Sequence, residues 1–248
     1  MTPRKGFAAM EHDHRESNKA IKRKRVMRYF IDAAAEIATA GGVHNITIRS
    51  VADKAGYNSA TLYNYFEDLN ELMAFTSISL IEEWIRSAVA TNAGPGDALD
   101  HYIANWKSYV EHSLRTPAGF TYVFFSSDSD SVIKYFEKYY EIFPLPEEEQ
   151  NPGSIHAFWK PKSLDAQERE MIAPVIEEGF IAESDARSIY QMCQLLHNGL
   201  LWSHLQMEST TPIEEDVATF VHYLVSYIQT KLRKEKDLSA YISPSADS

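Results

Sequence analysis

The chain has one cysteine, Cys193, among 248 residues. A single thiol excludes an intramolecular disulfide and any cysteine-rich metal site. No run of about 18 apolar residues is present, which argues against a membrane span. The first 20 residues are polar and charged and carry no apolar signal-peptide core. No segment alternates with the period of a strand, and no segment repeats. The common catalytic signatures HExxH, P-loop and GxSxG are missing as well. These absences lead to the expectation of an all-α cytoplasmic protein with no membrane partner, no metal and no cofactor.

What is present is an uneven charge. The overall balance of −11 argues against nucleic acid, but the distribution reverses that reading. Residues 1–66 hold 11 Lys/Arg against 6 Asp/Glu, a net of +5; the remaining chain holds 13 against 29, a net of −16. A basic head on an acidic body fits a polyanion-binding end, the plainer alternative being a solvated basic tail with no partner.

Residues 1–21 read as a flexible basic and polar arm. A helix is expected from Lys22, where Lys22, Arg23, Lys24 and Arg25 run together, with Val26, Phe30, Ala33, Ala34 and Ile37 on one face. Gly41 and Gly42 stop it. Thr47 is placed to cap a short helix that turns Val51, Ala52 and Ala55 inward, and Gly56 suits the left-handed turn that follows. Asn58 or Ser59 can cap a second short helix with Leu62 and Phe66 inward. Asp68 can cap a long helix from Leu69, with Leu72, Met73, Leu80, Ile81, Trp84 and Ile85 as its apolar face. Asn92–Asp97 is a break. Helix resumes from Asp97 to about Arg115 and restarts at Pro117. Pro144–Gly153 reads as a loop, and Leu164–Glu178 as helix. Ser184 or Asp185 caps a helix through Met207, and Thr211-Pro212 starts a last one through about Lys234, followed by a frayed tail.

The first three helices form a helix-turn-helix head. In such a head the first short helix braces the DNA backbone and the second enters the major groove. With Leu62 and Phe66 inward, Ser59, Ala60, Thr61, Tyr63, Asn64 and Tyr65 occupy the more exposed surface. Hydroxyls and amides suit phosphate oxygens, and asparagine can read an adenine edge. Arg49 lies in the first turn of the bracing helix, where phosphate should pass, and the basic run can follow the backbone or minor groove.

The stretch TIRSVADKAGYNSATLYNYFEDLNEL resembles the DNA-binding motif of the tetracycline-repressor (TetR) family. The matching residues are Thr47, Val51, Ala52, Ala55, Gly56, Leu62, Tyr63, Phe66 and Leu72, within about Val26 to Leu72. The resemblance implies that Tyr63 and Thr61 contact phosphate, and that Ser59, Asn64 and Tyr65 sit where base readout varies. Tyr57 occupies a usually apolar turn position and is expected to cover the head's core. One departure stands out: the family's usual lysine three residues after the phenylalanine is Leu69 here, preceded by Glu67 and Asp68. The basic run is the expected compensation. The resemblance further implies a head over 22–68, a helical ligand-binding and dimerisation domain over 69–248, and repression of a double-stranded DNA operator.

In that body two amphipathic helices close the chain. Ile189, Met192, Cys193, Leu196 and Leu200 line one stripe; Val217, Phe220, Val221, Leu224 and Ile228 line the other. Gly199 and Ser203 lower one face of the first helix. Two such helices per subunit can build a four-helix dimer bundle, or they can close the core of one protomer. The position in a TetR-like chain favours the homodimer. The interval Tyr102–Phe143 holds 12 of the chain's 30 aromatic residues. Trp106, Tyr109, Phe120, Phe124, Tyr135 and Tyr139 are the candidates to line a pocket for an apolar or aromatic effector, ordinary core being the alternative.

Two rival classes remain at this stage, a helical enzyme and a structural partner protein. His197 and His204 share a helix without a carboxylate at metal-ligand spacing, and His101 and His112 are three turns apart. A structural protein has no need of a basic head or exposed recognition residues.

Overall fold

In a computed structural model of the chain, residues 5–42, 45–125, 129–144, 164–206 and 209–242 are described, with the side chains of all but 5–17, 129–133 and 164–167. The regular elements among them are helices: α1 Lys5–Gly41, α2 Ile48–Ala55, α3 Ser59–Leu62, α4 Leu69–Ala93, α5 Ala98–Arg115, α6 Pro117–Phe125, α7 Ser129–Ile142, α8 Leu164–Glu177, α9 Glu183–Leu205 and α10 Ile213–Gln229, with a 3-10 turn over Ser239–Tyr241. The loop expected over Pro144–Gly153 lies, from residue 145 on, outside the described residues.

Two compact units divide the chain. One holds Met1–Leu80 and Phe125–Leu145; the other holds Ile81–Phe124 and Pro146–Ser248. The first unit takes in residues 69–80 of α4 together with α7. Ring packing explains the recruitment. Phe75 of α4 meets Tyr135 and Tyr139 of α7 edge-on, at 6.3 and 5.4 Å between centroids. The same run continues through Phe66 to Phe30 of α1.

Several local signals act as the sequence suggests. Thr47 caps α2 in a reciprocal box: its hydroxyl accepts from Ser50 N–H, and Ser50 Oγ accepts from Thr47 N–H. Gly56 ends α2 at φ 78°, in the left-handed region that a Cβ disfavours. Asn58 caps α3 by accepting from Thr61 N–H, and Asp68 Oδ1 accepts from Glu71 N–H in the first turn of α4.

Other expectations need correction. α1 begins at Lys5 rather than Lys22, so residues 5–21 are helix and not an irregular arm. That stretch is rich in Ala, Glu, Lys and Arg, and it contains no proline to stop a helix. The buried stripe of α1 is Met27, Phe30, Ile31, Ala34 and Ala38, with Ala33 beside it; Val26 and Ile37 are only half-buried. α9 has no side-chain cap, since Ser184 and Asp185 lie inside its first turn. α10 stops at Gln229.

Up to residue 242 the tail is anchored rather than frayed. Lys236 pairs with Asp97 and, at 2.7 Å, with Asp100; the Tyr241 hydroxyl donates to Asp100 at 2.7 Å; and Leu238 is buried. These contacts hold the tail on the start of α5. Burial alone would push the Asp100 carboxyl up, but hydrogen bonds from Lys236, Tyr241 and the Asp97 N–H outweigh it and hold the group down at about 2.

The second unit is built on α5. Its buried face meets α10 along most of its length and also α8 and α9. Val217, Phe220, Val221, Leu224 and Ile228 of α10 are buried there, as is Ile189 of α9.

Candidate nucleic-acid interface

The recognition element is a single helical turn extended by hydrogen-bonded turns. Asn64 N–H donates to Thr61 O, and the N–H groups of Tyr65 and Phe66 donate to Leu62 O. Leu62 and Phe66 are fully buried, and this fixes the outward direction of the residues between them. Tyr63 is 58% exposed, which is unusual for so large a ring and useful for a contact surface. Ala60 and Asn64 are exposed; Ser59 and Thr61 are half-buried.

Tyr65 is more inward than its neighbours. Its ring lies 6.0 Å from Phe30 and beneath the Arg23 guanidinium. Tyr57 packs on Phe30 at 5.1 Å, the core-covering place expected for it. Thr61 Oγ1 donates to Asn58 Oδ1, and Thr47 Oγ1 is engaged in its cap, so both hydroxyls hold the turn as well as facing outward. Arg49 is exposed on α2, 3.7 Å from Asp53.

The basic run does two separate jobs. Arg23 donates from its two terminal nitrogens to the carbonyls of Asn64 (2.7 Å) and Tyr65 (2.9 Å). It is a strut between α1 and the end of the recognition turn, where carbonyls would otherwise lack partners. Lys22, Lys24 and Arg25 have no ion-pair partner among the described residues, which leaves their charge for phosphate. Together with Lys19 and Ala20, Lys22 and Arg23 face Asn64 and Tyr65 across a groove of about 500 Å3.

At the position of the missing lysine the structure supplies an unexpected cation. Lys138 of α7 lies 2.7 Å from Glu67 and 2.6 Å from Glu71. Glu71 is 1% exposed, and its other oxygen accepts from Glu67 N–H at 2.6 Å. Lys138 therefore offsets part of the negative charge of this acidic segment from within its own unit. Arg28 stacks on Phe143 at 4.2 Å and donates to the Tyr139 hydroxyl, a second tie from α1 to α7. No local pattern announces Arg23, Arg28 or Lys138, because their partners lie between 41 and 115 residues away in sequence.

The six aromatic residues proposed for a pocket do not form one set. Trp106, Tyr109, Phe120 and Phe124 cluster with Trp84 and Phe220 in the second unit, at centroid distances of 5.4–6.0 Å. Tyr135 and Tyr139 belong to the first unit.

The proposed dimer residues divide in the same way. Ile189, Phe220, Val221, Leu224 and Ile228 are buried within the protomer. Periodicity reveals an apolar stripe but not what covers it. Gly199 is exposed, and Leu196, Leu200 and Ser203 are half-buried. Beside them Leu195 is 75% and Trp202 63% exposed on α9, and Tyr223 is 53% exposed on α10.

The histidines have ordinary partners. His197 is buried against Ser113 at 2.8 Å, and burial lowers it to about 4, so it is neutral. His204 meets Asp216 at 2.8 Å. Cys193 is buried, and burial pushes its thiol up, as for a small packed side chain.

A one-turn helix followed by the outward Tyr63 and Asn64, braced by α2 and flanked by a basic α1, has the layout of a helix-turn-helix DNA-binding head. Residues 30–74 match the family described as bacterial regulatory proteins, tetR family, which places the helix-turn-helix head of the chain with the DNA-binding domain of that family. The fold is shared with solved structures of low identity. A transcriptional regulator from Rhodococcus sp. Rha1 is 15% identical, with a TM-score of 0.58 over 85% of this chain and 99% of that one. FadR from Bacillus subtilis, solved with stearoyl-CoA, is 16% identical, with a TM-score of 0.53 over 80% and 97%. A TetR/AcrR regulator from Thermobifida fusca is 17% identical, with a TM-score of 0.51 over 82% and 96%. No curated protein sequence matches the chain. Among the described residues no helix is long and apolar enough to cross a membrane.

Proposed function

We propose that the chain acts in the cytoplasm as a homodimeric repressor that binds a palindromic operator and leaves it when a small apolar or aromatic molecule binds the body. The observation that carries the DNA-binding reading is the outward Tyr63–Asn64 pair, held between the buried anchors Leu62 and Phe66 and bordered by Lys22, Lys24 and Arg25, which have no ion-pair partner among the described residues. Ser59, Ala60, Thr61, Tyr65, Thr47 and Arg49 surround it as further contacts to bases or phosphate.

Support for the dimer comes from Leu195, Gly199, Trp202 and Tyr223, large or small apolar residues left exposed on α9 and α10. A two-fold dimer presents two recognition turns and so calls for a two-fold symmetric operator. Support for the effector comes from the apolar density of the second unit and from the course of α4, which contributes residues to both units. An effector releases DNA only if it binds the DNA-competent arrangement less well than another.

A mobility-shift titration on the DNA upstream of the chain's own gene tests the reading. Specific retardation that resists excess unrelated duplex is expected. Equal competition by unrelated duplex would overturn it.

A further inference from the structure

A cavity of about 580 Å3 opens between α8 and the first half of α9. Its apolar wall is Ile172, Ala173, Ile176 and Ala186. The exposed residues around it are Arg169, Glu183, Arg187 and Gln191. Glu168 also lines it and is 6% exposed. One Glu168 oxygen accepts from the Tyr102 hydroxyl at 2.6 Å, and no cation pairs with this carboxyl among the described residues. A carboxyl buried with a single neutral donor is costly unless something else meets its remaining lone pairs.

We propose that this cavity is a binding site for a small cationic amphiphile, an apolar body carrying one protonated amine, whose N–H groups meet the second oxygen of Glu168 while the body lies along Ile172, Ala173 and Ile176. The cation supplies both the counter-charge and the donors that the protein withholds. An anionic ligand would set like charge against Glu168 and find its arginines only among the exposed residues. Burial pushes the Glu168 carboxyl up to about 7, with donation from Tyr102 pulling the other way. The groups around it are Tyr102 on α5 and Cys193 on α9, both held neutral by burial, with Arg169, Glu183, Arg187 and Tyr190 elsewhere around the cavity. A bound ammonium therefore favours the ionised carboxylate, and binding near neutral pH releases a fraction of a proton to buffer.

The proposal names the effector class within the reading of the chain as an effector-released regulator. It rests on that reading only for the consequence on DNA, and binding is measured without DNA. The test is calorimetric titration of the full chain at pH 7.5 with n-octylamine, n-octanol and n-octanoate, which share a body and differ in the head. Octylamine is expected to bind at least tenfold more tightly than octanol, with proton release seen as a dependence of the heat on buffer ionisation. Glu168→Gln should bring octylamine down to the affinity of octanol and leave octanol unchanged, whereas Arg187→Gln should not weaken octylamine. Equal affinity of the three probes, or octanoate binding best and failing with Arg187→Gln, would overturn the proposal. The ranking on the wild-type chain decides the matter even where a variant folds poorly. If octylamine binds at Glu168 yet leaves DNA affinity unchanged, the site stands and the release mechanism falls.

Discussion

Replacing Arg23 by methionine separates a strut from a phosphate cation. The side chain gives two hydrogen bonds to the carbonyls of Asn64 and Tyr65 and covers the Tyr65 ring. Charge-assisted bonds to carbonyls contribute more than neutral ones, but these are exposed, so about 1–2 kcal/mol for ordering the turn is a reasonable total. That loss is felt where the ordered turn is used, in the complex with DNA, and it corresponds to roughly 5- to 30-fold in Kd. The loss should fall on the specific complex, so discrimination between operator and scrambled duplex shrinks. The salt dependence should hardly change, because no phosphate neutralisation is removed. Lys22→Ala should behave oppositely. It should weaken specific and non-specific binding together and lower the slope of log Kobs against log salt by about 0.9. Fluorescence anisotropy at several salt concentrations reads both quantities. A fall in slope of about 0.9 for Arg23→Met, with discrimination intact, would refute the strut.

Replacing Lys22, Lys24 and Arg25 together by alanine should flatten the salt slope by about 2–3, in the same assay. Tyr57→Ala should lower stability by about 1–2 kcal/mol through lost packing on Phe30, while Tyr63→Ala should spare stability and abolish specific DNA binding, as denaturant melts and anisotropy would show. Lys138→Met leaves the buried Glu71 carboxylate uncompensated; thermal melts should show a loss of about 1–2 kcal/mol, clearly larger than for Glu67→Gln, since Glu67 is on the surface. Lys236→Met should lower stability at neutral pH and make its decline between about pH 4 and 2 shallower, by urea melts across that range. The sign follows because a carboxyl held low, as Asp100 is, adds stability above the ordinary carboxylate range and loses it as pH falls through the depressed value.

The head was legible because its signals are short-range. Thr47 with Ser50, Asn58 with Thr61, Asp68 with Glu71 and the αL position of Gly56 are each decided within four residues. The Leu62–Phe66 spacing then gives the outward face without any tertiary information. What could not be read are pairings across sequence. Arg23 looks like one of four equivalent cations until its carbonyl partners, 41 and 42 residues on, are known. Lys138 looks like a solvated lysine of α7, yet it pairs with Glu67 and Glu71 in the acidic segment where the family's lysine is absent. The stripes of α9 and α10 were visible, but amphipathicity is silent on whether a protomer or a partner covers them. Here the protomer covers Phe220 and Leu224, and the faces it leaves bare carry Trp202 and Tyr223. The aromatic interval likewise gave composition without allocation, and it divides between two cores.

Selection of random-sequence duplexes on the full chain tests the central claim most directly. Enrichment of a two-fold symmetric sequence, with half-site centres one helical turn or more apart and lost in parallel with Tyr63→Ala, is the predicted result. Failure to enrich any sequence over the starting pool, or an enriched sequence that Tyr63→Ala retains, would contradict the account.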